Sequence, residues 1–408
     1  MRLGRVTNRL LGLVTRGARA MPASLLRMPA GSDRPKHINR RVVLHLGVPG
    51  RLLTCLLIIA LLAPAAAAQH APGTPVVSDA PVPVTFPRDD GPHDTNVEWW
   101  YFTGHLLTDE GDRYGIEYVI FRARDGDLEG YAAHFAITDN PRRQFHYDQR
   151  LRGAGGVAGD AAVLDLHLGG WTMRGGAGQF ELAAEMPGYA MRLDVATTKP
   201  AALHDGDGYI DYGNGTASYY YSWTRMEVTG ALDLGQGATQ VSGEAWMDHQ
   251  WGDFATYQAG GWDWFSAQLD DGTDLMLYLI RDAEGQALRV DGSLVGSDGE
   301  LAVLGEGDFA ITIDGEWISP GTGTTYPSGW TITVPDHELS MTVRASLLDQ
   351  ELDTRATTGV IYWEGETVVA ATHRGRPVAG FGYTELTGYA PYEPLDLESS
   401  VGIGTPVP

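Results

Sequence analysis

Two apolar runs, Trp264-Phe-Ser-Ala-Gln-Leu269 and Leu275-Met-Leu-Tyr-Leu-Ile280, flank the dipeptide Asp271-Gly272. Asp-Gly between apolar segments is a strong signal for a tight turn, so this pattern predicts an antiparallel β-hairpin over residues 264–280. A similar run occurs in Tyr114-Gly-Ile-Glu-Tyr-Val-Ile-Phe121, and no helical periodicity is sustained after residue 92. With 53 glycines available for turns, the sequence predicts an all-β protein of many short strands, as in barrels or sandwiches.

The chain also contains an internal repeat. Four short motifs recur in the same order, and each second copy lies 158 to 163 residues after the first. The pairs are Phe102-Thr-Gly-His-Leu106 with Phe265-Ser-Ala-Gln-Leu269, Ile120-Phe-Arg122 with Leu279-Ile-Arg281, Gly170-Trp-Thr172 with Gly329-Trp-Thr331, and Glu227-Val-Thr-Gly230 with Glu385-Leu-Thr-Gly388. A repeat of this length allows each copy its own core. It predicts two tandem antiparallel β-barrels, residues 93–242 and 243–394; the alternative is a chance match between common strand motifs.

The N-terminus has the features of an export signal. Residues 1–51 are basic, residues 52–62 form a short apolar run, and residues 63–68 are mostly alanine. Such a basic flank, short apolar core and small-residue exit are typical of a signal peptide. We therefore expect residues 1–68 to be a signal peptide with an N-terminal extension. An uncleaved anchor is the alternative, although the apolar run is shorter than the ~20 residues of a membrane span.

The expected mature protein is strongly acidic. It carries 18 Lys and Arg against 51 Asp and Glu, a formal charge of −33, compared with −23 for the whole chain. A polyanionic surface repels nucleic acid, so a nucleic-acid partner is not expected. The single cysteine, Cys55, lies in the apolar run, which removes disulfides from the mature chain. We expect a periplasmic or secreted protein with a Pro-rich leader at 69–92, a C-terminal tail at 395–408 and no membrane span.

The first candidate site is Asn96-Val-Glu-Trp-Trp-Tyr-Phe102. Its carboxylate, Glu98, is followed by three aromatic residues, Trp99, Trp100 and Tyr101. Burying a carboxylate among aromatic rings is costly unless it is paired or protonated. An apolar setting would raise the pKa of Glu98 and make it a candidate acid. The alternative is an ion pair with Arg122 or Arg281 that braces the floor of a barrel.

The second candidate site is Gly243-Glu-Ala-Trp-Met-Asp-His-Gln-Trp-Gly-Asp253, at the predicted junction of the barrels. A segment at a domain junction is well placed to line a ligand cleft. Side chains alternate between the two faces of a strand, so Trp246 and Asp248 should share one face, and His249 and Trp251 the other. A structural linker whose tryptophans plug the barrel ends would explain the same pattern.

Several chemistries are not indicated by the sequence. It has no Gly-x-Ser-x-Gly elbow, no His-Glu-x-x-His pair and no Walker loop. No metal and no organic cofactor are therefore expected.

His134 lies in a predicted strand, where a histidine is more often a core residue than a catalyst.

Five motifs together resemble those of the AttH-like, or hydroxyneurosporene synthase-like, family. They are Glu98-Trp-Trp-Tyr101, Ala245-Trp-Met-Asp-His-Gln-Trp-Gly252, Tyr326-Pro-Ser-Gly-Trp330, Tyr362-Trp-Glu-Gly365 and Gly382-Tyr-Thr-Glu-Leu-Thr-Gly-Tyr389. The resemblance extends from about residue 93 to residue 389. It implies two lipocalin-like (calycin) barrels, in agreement with the repeat. Some members of this family are carotenoid 1,2-hydratases, lyases that add water to a terminal isoprenoid double bond, and relatives of the fold include pericyclases.

The resemblance implies a hydrophobic isoprenoid or polyene-like ligand. Asp248 or His249 would supply the proton or activate water, with Asp248 hypothesised as the acid and Glu98 as the reserve acid. The ligand-binding residues it implies are Trp99, Trp100, Tyr101, His134, Trp246, Trp251, Trp264 and Arg281. Two alternatives stay open, a non-catalytic periplasmic lipid carrier and a secreted hydrolase of unknown substrate. A partner in export or transport is not identified by the sequence.

Overall fold

The computed structural model describes residues 81–125, 128–153, 163–213, 215–254 and 260–391. The predicted signal peptide, the first half of the Pro-rich leader (residues 69–80) and the C-terminal tail lie outside these residues. Regular structure in the described segments is almost entirely antiparallel β-strand, with short 3₁₀ turns, which confirms the all-β prediction. A search of these segments finds no helix with the length and apolar character needed to cross a membrane.

Twelve strands form the first sheet, which curls into a nearly closed barrel. They are β1 (Val97–Thr108), β2 (Arg113–Asp125), β3 (Leu128–Asp139), β4 (Gln144–Gly153), β5 (Leu164–Leu168), β6 (Trp171–Gly176), β7 (Gln179–Met186), β8 (Tyr189–Thr197), β9 (Ala202–Leu203), β10 (Tyr209–Asp211), β11 (Ala217–Asp233) and β12 (Ala238–Gly252). Their order is β4-β3-β2-β1-β12-β11-β8-β7-β6-β5, with β9 and β10 paired to β11. Since β12 continues to Gly252, most of the second candidate segment is a strand of the first sheet rather than a linker.

Ten strands form the second sheet. They are β13 (Trp262–Leu269), β14 (Asp274–Arg281), β15 (Ala287–Val295), β16 (Leu301–Leu304), β17 (Ala310–Ile318), β18 (Thr325–Val334), β19 (Leu339–Ala345), β20 (Glu351–Asp353), β21 (Ile361–His373) and β22 (Arg376–Leu386). Their order is β16-β15-β14-β13-β22-β21-β19-β18-β17, with β20 paired to β21. The predicted hairpin is β13 and β14. Its turn places Gly272 at φ +84°, a conformation that glycine adopts without steric cost.

The strand order shows how the two copies of the repeat correspond. Strand β1 lies between β2 and β12, as β13 lies between β14 and β22. The first two motif pairs fall on these equivalent strands, β1 with β13 and β2 with β14. The other two pairs do not, because Trp171 is in β6 but Trp330 in β18, and Glu227 is in β11 but Glu385 in β22, the equivalent of β12. The topology is therefore repeated, while the last two motif matches reflect only similar strand composition.

Strand β1 contributes to two separate cores because its side chains alternate. Trp100 and Phe102 are fully buried in the interior of the first barrel. Tyr101, between them in sequence, points to the opposite face and packs edge-on against Trp264 of the second sheet, with ring centroids 5.3 Å apart. A separate core around Trp330 fills the second sheet. The outer face of the first barrel is thus covered by the second sheet, which creates an enclosed layer between them.

Candidate active site between the two sheets

A cavity of about 480 Å³ lies in the layer between the sheets. This volume is in the range of sites for drug-sized ligands. Most of its wall is apolar and aromatic, and both sheets contribute to it. Aromatic wall residues include Trp99, Tyr101, Phe121, Tyr220, Trp264 and Tyr278. Such a wall suits an apolar ligand and presents ring faces that stabilise positive charge.

Asp248 is a buried carboxyl group in the wall of this cavity. Its Oδ1 accepts hydrogen bonds from the Ser222 hydroxyl and the Trp246 indole N–H, both at 2.5 Å. Its Oδ2 accepts one from the Tyr220 hydroxyl, also at 2.5 Å. Burial raises the pKa of Asp248 to about 6, although the three donors act in the opposite direction. A pKa in this range suits a general acid or base.

A chain of hydrogen bonds orients Asp248 from behind. Ser222 has one hydroxyl proton and donates it to Asp248, so its oxygen accepts from Nε2–H of His204, 2.6 Å away. The other nitrogen of His204, Nδ1, then accepts from the Ser293 hydroxyl at 2.9 Å. Burial lowers the pKa of His204 to about 3, which keeps the imidazole neutral. The hydrogen bonds with Ser222 and Ser293 then select this tautomer. The chain joins both sheets, since Ser293 lies in β15.

Glu98 and His249 belong to a second polar cluster whose side chains point into the first barrel. Glu98 Oε1 lies 3.0 Å from His249 Nε2 and 2.7 Å from His93 Nδ1, and its Oε2 lies 3.1 Å from the Arg122 guanidinium. Burial alone would raise the pKa of Glu98, but hydrogen bonds with His249 and His93 hold it below its ordinary value. The expectation of a raised pKa for Glu98 was therefore wrong. Of its two predicted partners, Arg122 is the correct one.

Atoms that could bind a metal ion, one ring nitrogen each from His93 and His249 and one carboxylate oxygen from Glu98, lie within 4.8 Å of one another. Glu98 already accepts from Arg122 and from the backbone N–H of His93. The guanidinium supplies the positive charge that a metal ion would bring. We therefore interpret this cluster as a hydrogen-bonded brace rather than a metal centre.

The family model described as AttH-like matches residues 77–389. The chain belongs to the AttH-like family. Residues that carried the resemblance lie on both sides of the intersheet layer, as Tyr101 of the first sheet and Tyr362 of the second sheet do. The match agrees with the lipocalin-like fold that the repeat and the strand topology show.

Solved structures with this fold include an AttH protein from Nitrosomonas europaea, which is 31% identical with a TM-score of 0.70. The alignment covers 78% of this chain and 100% of that one. Kievitone hydratase from Nectria haematococca is 17% identical with a TM-score of 0.61, over 76% of this chain and 94% of that one. CghA, solved with Sch210972, is 14% identical with a TM-score of 0.52, over 78% of this chain and 96% of that one. No curated protein matches the sequence.

The predicted site residues of this AttH-like chain divide between three places. The cavity wall contains Trp99, Tyr101, His134, Trp264, Asp248 and part of Glu98. Trp100, His249 and Trp251 lie inside the first barrel, where the two indoles pack against the imidazole. Trp246 lies behind the wall, where it donates to Asp248 and packs edge-on against Trp264 with ring centroids 6.2 Å apart. Arg281 pairs with Asp263 at 3.1 Å and stacks on Tyr389, away from the cavity wall.

Sequence reasoning missed three buried carboxyl groups between the sheets: Glu117, Glu364 and Glu385. Glu385 lines the cavity, and its Oε2 accepts from the indole N–H of Trp262 at 2.9 Å. Glu364 is directly opposite Glu385 on β21 and accepts from the Tyr101 hydroxyl at 2.7 Å. Neither oxygen of Glu117 has a hydrogen-bond partner within the described segments. The residues next to these glutamates in the sequence do not indicate that the three carboxyl groups lie together. The strands that bring them together, β2, β21 and β22, are far apart in the chain or belong to different sheets.

Proposed function

We propose that this protein binds an apolar, unsaturated small molecule in the cavity between its sheets and adds water to a double bond of that molecule. The observation that carries the proposal is Asp248, a buried carboxyl group that three hydrogen-bond donors hold in the mostly apolar and aromatic wall of the cavity. A binding site for an inert lipid gains nothing from such a group, since burying a carboxyl is costly. The name of kievitone hydratase, a structural neighbour, is consistent with hydration chemistry on this fold.

Hydration of an alkene needs a proton donor and a proton acceptor. The π-electron pair takes a proton and forms a C–H bond, which leaves a cation on the neighbouring carbon. A water lone pair then forms the C–O bond, and the water O–H bond breaks to give its proton to a base. The ring faces of Tyr101, Tyr220 and Trp264 stabilise the cation. Because three donors favour its charged form, Asp248 suits the role of base that activates water better than that of acid.

A hydrolase finds less support in the geometry. The Ser222 hydroxyl contacts both an imidazole and a carboxylate, but it is fully buried and donates its proton to Asp248. A serine nucleophile instead gives its proton to the imidazole and faces the substrate. The carrier alternative uses the same cavity without Asp248, and experiment can separate the two.

Binding and hydration are measured separately on the full chain. N-phenyl-1-naphthylamine, a neutral fluorophore, reports cavity binding, with farnesol and geranylgeraniol as competitors. Hydration is followed by mass spectrometry of products formed from the same two alcohols in isotopically labelled water. We expect Asp248→Asn to lower the rate about 100-fold or more, the usual effect of losing an acid or base, while the fluorophore binds as before. The exposed Asp336→Asn is the matched control and should change neither.

Two outcomes would overturn the proposal. If both alcohols bind to the wild-type protein but no labelled oxygen enters them, the protein is a carrier. If Asp248→Asn hydrates at the wild-type rate, Asp248 has no role in the chemistry.

We also propose that the protein is exported. The proposal rests on the basic flank and the apolar run at residues 52–62 of the sequence. N-terminal sequencing of the protein from a periplasmic fraction is expected to begin near Gln69. A protein that keeps residues 1–68 and stays in the cytoplasm would contradict it.

A further inference from the structure

The internal repeat places two carboxyl groups at equivalent positions. Phe102 of β1 corresponds to Phe265 of β13, so Tyr101 corresponds to Trp264. On the neighbouring strand, Tyr101 is directly opposite Asp248, and Trp264 is directly opposite Glu385. Both Asp248 and Glu385 line the cavity, one from each sheet. The first copy of the fold thus supplies one carboxyl to the site and the second copy supplies the other.

The surroundings of the two carboxyl groups differ in a way that separates their roles. On the next strand, Asp248 is opposite Ser222, a hydrogen-bond donor, whereas Glu385 is opposite Glu364, a second carboxyl. Asp248 accepts three hydrogen bonds, whereas Glu385 accepts one, from Trp262. Donors stabilise a carboxylate and a neighbouring carboxyl disfavours one. The hydrogen-bond donors around Asp248 therefore make its ionised form less unfavourable than that of Glu385, which has one donor and a neighbouring carboxyl.

Further buried carboxyls surround Glu385. Glu364 and Glu117 are fully buried, and three of their four oxygens have no partner among the described residues. No Lys or Arg in the described segments forms an ion pair with Glu117, Glu364 or Glu385. The other titratable groups near Glu385 are Asp248 and Tyr101. Several carboxyls without a cation cannot all ionise in a dry layer, so protons stay in this group.

We propose that Glu385 is the catalytic proton donor of the cavity, with Asp248 as the proton acceptor. This inference rests on the proposed hydration. The Glu385 carboxylic acid breaks its O–H bond, and the alkene π-electrons form the new C–H bond. Water forms the C–O bond with the resulting cation and transfers a proton to the Asp248 carboxylate. One proton then returns from Asp248 to Glu385, so alkene and water give an alcohol and the protein is unchanged.

The pKa values of the two carboxyl groups agree with this assignment. Burial raises the pKa of Glu385 to about 7, against about 6 for Asp248. Two carboxyl groups whose environments separate their pKa values are the usual arrangement for an acid and a base in one site.

The pH dependence of kcat/KM for farnesol and geranylgeraniol tests the assignment. The wild type should give a bell-shaped profile, since Asp248 must be ionised and Glu385 protonated. Glu385→Gln should lower the rate about 100-fold or more, and the remaining activity should lose the alkaline limb. Asp248→Asn should remove the acid limb instead. The exposed Glu316→Gln, in the same sheet, is the control with the same chemical change.

Infrared spectroscopy of the protein without ligand provides a readout that does not require turnover. The wild type should show the C=O band of a protonated carboxyl group, and this band should disappear as the pH rises through neutrality. The same band should be absent from Glu385→Gln and present in Asp248→Asn. The opposite pattern, or a wild-type rate and alkaline limb in Glu385→Gln, would overturn the assignment. A wild type that hydrates neither alcohol would instead refute the proposed function, and the infrared band would still locate the proton.

Discussion

Replacing Glu385 by glutamine should make the protein more stable at alkaline pH while it loses activity. The folded protein holds the pKa of Glu385 at about 7, above its ordinary value of 4.5. Between these two pH values the folded chain keeps a proton that the unfolded chain releases. The free energy of unfolding therefore falls as the pH rises, by about 1.4 kcal/mol for each pH unit. From pH 4.5 to 7 the total loss is about 3 kcal/mol, which is a large part of the stability of a domain.

Glutamine cannot ionise, and its carbonyl can still accept the hydrogen bond from Trp262. The stability advantage of Glu385→Gln over the wild type should therefore grow by about 3 kcal/mol between about pH 4 and pH 8. Urea unfolding followed by tryptophan fluorescence at the two pH values measures this change. The exposed Glu316→Gln should show no such pH dependence. A constant difference between Glu385→Gln and wild type across this range would refute the claim that Glu385 is forced to hold its proton.

Three further predictions concern other parts of the molecule. Burial lowers the pKa of His134 to about 3, so only the unfolded chain takes up a proton as the pH falls from about 6.5 to 5, and the free energy of unfolding falls by about 2 kcal/mol. His134→Gln should remove this fall in urea unfolding. An equal fall in both proteins would contradict the prediction. Asp274→Asn should lower the free energy of unfolding by about 3–5 kcal/mol, because the buried Asp274 carboxylate pairs with Lys199 at 2.6 Å and Arg225 at 2.7 Å. Thermal unfolding measures this change. A decrease below about 1 kcal/mol would show that the pairs are solvated. Trp99→Ala should weaken binding of N-phenyl-1-naphthylamine about tenfold, since it removes one aromatic wall of the cavity, and unchanged binding in a fluorescence titration would place the fluorophore elsewhere.

Local patterns in the sequence predicted the strands and their faces well. The Asp271-Gly272 turn forms where it was expected, because the dipeptide itself determines the turn. Alternation correctly placed Trp246 and Asp248 on one face of β12, and His249 on the other. These features depend on neighbours within a few residues.

The composition of the site could not be predicted in the same way. Glu98 was expected in an apolar setting, but two imidazoles and a guanidinium surround it once β1, β2 and β12 pair. Glu117 and Glu364 meet only because strands from the two sheets pack face to face. No spacing rule links residues 117, 364 and 385. The sequence therefore identified a candidate strand, whereas tertiary packing decided which carboxyl groups share the cavity.

The duplication itself explains why the proposed chemistry lies between the two sheets. A single copy would leave Asp248 on the outer face of a barrel, where water would give the carboxyl an ordinary pKa. Packing of the second sheet removes that water and brings Glu385 to the same cavity. Because the position of Ser222 in one copy is occupied by Glu364 in the other, the two equivalent carboxyl groups differ in how strongly their surroundings favour the protonated form. The proposed activity thus requires both copies, and it requires that they have diverged at the position beside each carboxyl.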